Sequence, residues 1–93
     1  MERVDLDKIF YIEGMKDYLK IVTADRSILT LQNFQTMESN LPANFLRVHK
    51  SYIVAINKIK DIERNIINIH DKHVNIGISY REKFYEAINL NKL

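Results

Sequence analysis

Three clusters stand out by residue type and spacing. They are Glu13-Gly14-Met15-Lys16-Asp17-Tyr18, Arg47-Val48-His49-Lys50-Ser51-Tyr52 and Ser79-Tyr80-Arg81-Glu82-Lys83. Each lies beside an apolar run, so each is expected where a strand or helix ends. Their chemistry suits anions and base edges. A lysine offers a compact charge to a phosphate, and an arginine offers a planar fork that can grip a guanine edge with two parallel hydrogen bonds. The third cluster is expected to open a helix, where free backbone N–H groups and a partial positive charge also favour phosphate. Spacing alone leaves a plainer reading open, that of basic residues on a solvated face.

A catalytic centre would need a nucleophile beside a base, paired carboxylates or a metal cage. The carboxylates are scattered among lysines. The chain has no cysteine, which excludes a disulfide, a thiolate nucleophile and a cysteine-based zinc site. It has two glycines, too few for a phosphate-cradling loop, and no P-loop, dinucleotide or nucleophile-elbow pattern occurs. His70 and His73 flank an expected Asp71-Lys72 turn, with Asp71 the only further metal ligand nearby. The expectation for them is a solvated turn. No catalytic residue, cofactor or metal is assigned, and the chain is read as not an enzyme.

The elements that must position the clusters follow from the apolar pattern, which is mostly short and β-branched and therefore strand-like. Strands are expected over Lys8–Glu13, Asp17–Thr23 and Ile28–Leu31, the last two forming a hairpin around Ala24–Ser27. Asn33–Asn40 reads as a short helix, with Phe34, Met37 and Leu41 on one face, and Leu41-Pro42 stops it. Phe45–Ile56 is strand-like at its ends and interrupted by Arg47–Ser51, and Ile59–Glu63 is a further strand. Asn65–His70 and His73–Ser79 alternate as a second hairpin. A final helix is expected from Ser79 to about Leu90. Ser79 and Glu82 have capping-box spacing, and Tyr80, Phe84, Ala87 and Ile88 form its apolar stripe.

The 93 residues allow one domain. Hydrophobic residues make up 46% and charged residues 28%, a globular composition. No apolar run approaches the roughly 18 residues of a membrane span, and the N-terminal segment has no apolar signal core, so a cytoplasmic protein is expected. Net charge is only +2, but its distribution is uneven. Residues 1–43 carry five Lys/Arg against seven Asp/Glu, and residues 44–93 carry nine against five. A basic second half is consistent with a phosphate-facing surface.

The segment Phe45-Leu46-Arg47-Val48-His49-Lys50-Ser51-Tyr52-Ile53-Val54 resembles the F-x-R-x-H-R/K-S-Y/F-x-V core motif of the LytTR family. Flanking pieces agree in order. Ile9–Glu13 is similar to an early family strand, Tyr18–Ile21 to its Y-(V/L)-x-I strand, and Leu41 with Phe45 to its helix-to-motif transition. Ile59 with Ile62 is similar to the following strand, and Ile78-Ser79-Tyr80-Arg81 to the terminal V-S-x-R. The resemblance spans about residues 4–90.

The resemblance implies a mostly β fold. Small antiparallel sheets would stack in an elongated domain, with one short internal helix and a C-terminal helix. It implies a sequence-specific DNA-binding output domain of a bacterial transcriptional regulator, in two-component systems a response regulator. The partner would be double-stranded promoter DNA, often paired repeats bound by two domains. Contacts would come from loops entering successive major grooves. Carried onto this chain, they fall on Lys16, Asp17 and Tyr18, on His49 and Lys50, and on Arg81. Side-chain chemistry assigns Lys50 and Arg81 to base edges or phosphate, and Lys16 to phosphate. It assigns Arg47, Ser51, Ser79 and Lys83 to the duplex backbone. His49 fits a contact or a loop brace equally, and Val48 and Tyr52 are expected in the core.

Three positions depart from the family pattern. Ala55 stands where asparagine is usual, Gly77 where proline is common, and Asp17 brings a carboxylate into the first contact loop. Asp17 and the modest net charge also fit a protein-interaction or dimerisation module without DNA binding. The chain starts close to the first matched strand. The expectation is a single domain over 1–93, excised from a longer protein with a preceding strand and a receiver domain.

Overall fold

The computed structural model describes residues 4–91. Its strands are β1 (Ile9–Gly14), β2 (Leu19–Thr23), β3 (Ser27–Thr30), β4 (Phe45–His49), β5 (Tyr52–Ala55), β6 (Asp61–Glu63), β7 (Ile66–Ile69) and β8 (Lys72–Asn75). Helix α1 (Phe34–Asn40) lies between β3 and β4, and α2 (Arg81–Asn91) follows β8. Short 3-10 turns cover Leu6–Lys8, Ile56–Lys58 and Ile78–Tyr80. A five-stranded sheet runs β3-β2-β1-β5-β4 and a three-stranded sheet runs β6-β7-β8, with every pairing antiparallel. The molecule measures 37 × 23 × 23 Å. This is the mostly β, elongated architecture that the sequence led us to expect.

The large sheet is covered on both faces, which explains why its strands do not alternate cleanly. One face carries Tyr11, Val22, Val48 and Val54, packed with Ile67, Ile69, Val74 and Ile76 of the second hairpin and with Phe84 of α2. The other carries Ile9, Ile12, Leu19, Ile21, Phe45 and Ile53, covered by Phe34, Met37 and Leu41 of the α1 segment. A bulge between Ile9 and Tyr11 lets Ile9 and Ile12, three residues apart, share a face, while Tyr11 faces the other way as strand alternation requires.

Local chemistry sets the ends. The Asn33 side chain accepts from the Thr36 amide at 2.8 Å, capping α1. Arg64 and Asn65 both take positive φ, 53° and 63°, in the two-residue turn between β6 and β7. That is the arrangement whose twist matches paired strands.

Four expectations need correction. Asp17 and Tyr18 belong to the loop before β2, because pairing starts at Gly14 with Leu19. The break after Phe45 is shorter than expected, since Arg47–His49 remain paired in β4. The tip of the second hairpin is His70-Asp71, because Lys72 already pairs with Ile69. The capping box does not form. Ser79 lies inside the 3-10 turn Ile78–Tyr80, and α2 starts only at Arg81.

Candidate nucleic-acid interface

The strand register gathers the first two clusters at one end of the large sheet. Gly14 pairs with Leu19, Glu13 with Tyr52 and His49 with Tyr52, so the β1–β2 and β4–β5 loops emerge side by side. The Gly14 amide donates to the Ser51 carbonyl at 2.8 Å and ties them together. Leu19 also pairs with Thr30, which brings the end of β3 and the start of α1 to the same place. Lys16, Asp17, Tyr18, Lys50 and Ser51 line a single open depression of about 420 Å³. Lys16, Asp17, Tyr18 and Lys50 are exposed there, and Ser51 is half-buried.

The third cluster is joined to the second through backbone. The Gly77 amide donates to the Val48 carbonyl at 2.8 Å, two residues before Lys50. Arg47, Ser79 and Lys83 line a second depression of about 240 Å³, together with Glu38 and Tyr80. Arg81 is half-buried, and its Nε donates to the Ile76 carbonyl at 3.0 Å. That bond orients the guanidinium. Neither Arg81 nor His49 lines either depression.

Two residues of the second cluster are turned into the fold. The Arg47 Nε donates to the His49 carbonyl at 3.3 Å and its Nη2 to the Lys50 carbonyl at 2.6 Å. Its guanidinium also stacks 4.7 Å from the Phe34 ring centroid, and Nη1 lies 3.8 Å from Glu38 Oε1. His49 Nδ1 accepts from the Ser51 amide at 3.1 Å, and its ring meets Tyr52 edge-on. The imidazole therefore braces the turn that presents Lys50, the loop-holding role weighed for it above. Tyr52 and Val48 pack in the core, as expected.

Sequence reasoning missed Leu31, Gln32 and Asn33, which line the first depression. Only strand register brings them there, and no motif marks them. It also passed over Ile78, which is 82% exposed beside the third cluster. Its signal was an apolar residue directly before the expected cap, and an exposed methyl surface suits a thymine methyl group.

The histidines and Asp71 of the second hairpin do not converge. The His70 ring packs on Phe10, His73 Nδ1 faces Asn68 Oδ1, and the Asp71 carboxylate accepts from the Tyr11 hydroxyl at 3.5 Å. Burial, then the nearby Asp71 and Glu13 carboxylates, push the Tyr11 hydroxyl up to about 12. Tyr52 is also raised, first by burial and then by its hydrogen bond to Glu13. Lys72 is raised by the Tyr52 hydroxyl and then by Glu13. These shifted groups cluster where the two sheets meet, and none of the three lines either depression.

A family model for the LytTr DNA-binding domain matches residues 1–89. The chain belongs to the LytTR family. LytTR membership makes it a DNA-binding domain, and not an enzyme. A solved structure of similar fold is the "LytTr DNA-binding domain" of a Bacillus cereus protein described as a methyl-accepting/DNA response regulator. It superposes with a TM-score of 0.85 at 24% identity, over 91% of this chain and 84% of that one. No curated protein matches the chain in sequence. Among the described residues of this LytTR domain, no helix is long and apolar enough to cross a membrane.

Proposed function

We propose that this LytTR domain reads promoter DNA through its loops, as the output domain of a bacterial regulator working in the cytoplasm. Lys50 and Arg81 read base edges in successive major grooves, and Lys16 holds a phosphate. Lys83, Ser51 and the Ser79 backbone contact the duplex backbone. Tyr18 lies beside Lys16 in the first loop, where Asp17 accepts from cytosine N4 or braces the loop. The family resemblance further suggests two copies on paired repeats and a receiver domain in the full protein. The observation that carries the reading is that Lys16 and Lys50 line one depression while the chain before Arg81 is hydrogen-bonded to Val48. Cations from separate parts of the sequence thus have a common place to meet a duplex.

Selection from random duplexes followed by a salt titration tests this. Log affinity should fall by about 0.9 per phosphate contact for each log unit of salt. Arg81→Ala should cost about 1–3 kcal/mol and relax one base position. No enrichment, or an Arg81→Ala variant with the parent's sequence preference, would overturn the reading or that assignment respectively.

A further inference from the structure

Gly14 and Arg47 stand on the strands that lead into different contact loops, but touch the same aromatic ring. A β-carbon on Gly14 would collide with Cε2 of Phe34, so that ring lies directly on the end of β1. The Arg47 guanidinium lies against the ring at 4.7 Å from its centroid. Phe34 opens α1, and Asn33 caps that helix in the loop lining the first depression. Arg47 meanwhile reaches the carbonyls of His49 and Lys50, and Glu38 of α1 faces its Nη1.

We infer that Phe34 and Arg47 are positioning residues that lock the Lys16 loop and the Lys50 loop into one rigid unit. The inference rests on those loops being the DNA contacts, and it gives Arg47 a different role from the phosphate contact its charge suggests. The physical reason is that the bonds inside each loop, Met15 amide to Tyr18 carbonyl and Ser51 amide to His49 Nδ1, shape that loop but do not fix it relative to the other. The Gly14–Ser51 hydrogen bond joins the two loops at their bases. The ring on Gly14, the guanidinium on the ring and the two carbonyls on the guanidinium form a second connection. With two connections the spacing between Lys16 and Lys50 is set before DNA arrives, and less ordering is left for the binding step.

Lysine cannot replace arginine in this role. It keeps the charge but loses the planar fork and the stacked face. Arg47→Lys and Phe34→Leu therefore test the inference on the whole domain. Backbone NMR order of the free protein is measured over residues 15–18 and 49–51. Both loops should lose order in both variants, although Phe34→Leu removes nothing from the second loop directly. Thermal midpoints and duplex affinities are measured alongside, with the sequence selected by the unaltered domain. Affinity for Arg47→Lys should drop at least about fivefold, and its combination with Lys50→Ala should be less than multiplicative. Its salt slope should match the parent's, and its thermal midpoint should fall by a few degrees at most for the hydrogen bonds lost. Unchanged order in both loops would overturn the inference. So would an Arg47→Lys variant that binds as the parent does while Arg47→Ala lowers the salt slope by about 0.9, because that is a simple phosphate contact. If the unaltered domain binds no duplex, the DNA reading fails, and the order measurement still decides whether the loops are locked.

Discussion

The backbone amide of Gly77 donates to the carbonyl of Val48 at 2.8 Å. Val48 sits at the irregularity where β4 pairs Arg47 with Ile53 and then His49 with Tyr52. One bond thus joins the exit of the small sheet to the edge of the large one, directly before two of the three contact segments. Native-state hydrogen exchange checks it. The Gly77 amide should exchange as slowly as the paired core amides of Ile53 and Val54. Exchange at the rate of an open loop would mean that the third segment is not docked on β4.

Alkaline pH should weaken the domain at the junction of its sheets. The Tyr11 hydroxyl ionises at about 12 in the folded protein and at 10.0 when unfolded. The folded state therefore keeps the proton longer. Its stabilising contribution is complete below pH 10 and is lost as pH rises toward about 12. Tyr52 and Lys72 are raised as well and act in the same direction. Denaturant melts between pH 9 and 12 should show stability falling with pH, less steeply in Tyr11→Phe. Equal slopes in the two proteins would remove Tyr11 from the account.

Arg64 is exposed and holds a φ of 53° at the first position of its two-residue turn. A side chain in that conformation costs about 1–2 kcal/mol, and glycine avoids the clash at some cost in unfolded-state entropy. Arg64→Gly should raise unfolding free energy by about 0.5–1 kcal/mol in chemical denaturation. A loss of stability would show that the Arg64 side chain contributes something beyond the turn.

Phe84 is 1% exposed and anchors α2 in the core between the two sheets. Phe84→Ala should cost about 3–5 kcal/mol. That is a large share of the roughly 5–10 kcal/mol expected for a domain of this size. Calorimetry should find the variant largely unfolded at or near physiological temperature. A change under about 1 kcal/mol would mean that α2 contributes little to the fold.

Much was legible in the residues themselves. Period-two runs such as Ile67/Ile69 and Val74/Ile76 gave the second hairpin, because β-branched residues on one face of a strand need a partner surface. Leu41-Pro42 stopped α1 because proline lacks the backbone donor. The Arg47–Val54 motif, with its flanking pieces, disclosed the family, and the three polar clusters were visible, each holding a lysine or arginine that suits phosphates and base edges. Nothing local told where those clusters would lie relative to one another. That depended on strand order: β1 pairs with β5, about forty residues away in sequence, and this sets Gly14 beside Ser51. The same limit hid the work of Arg47. Its charge was plain in the sequence, but a guanidinium is directed by what surrounds it, and Phe34, Glu38 and the Lys50 carbonyl converge only when α1 folds back over the large sheet. Composition and pattern determined which surfaces had to be buried and which residues could recognise an anion. Only long-range pairing, set by two faces of one sheet needing cover at once, decided which of them meet.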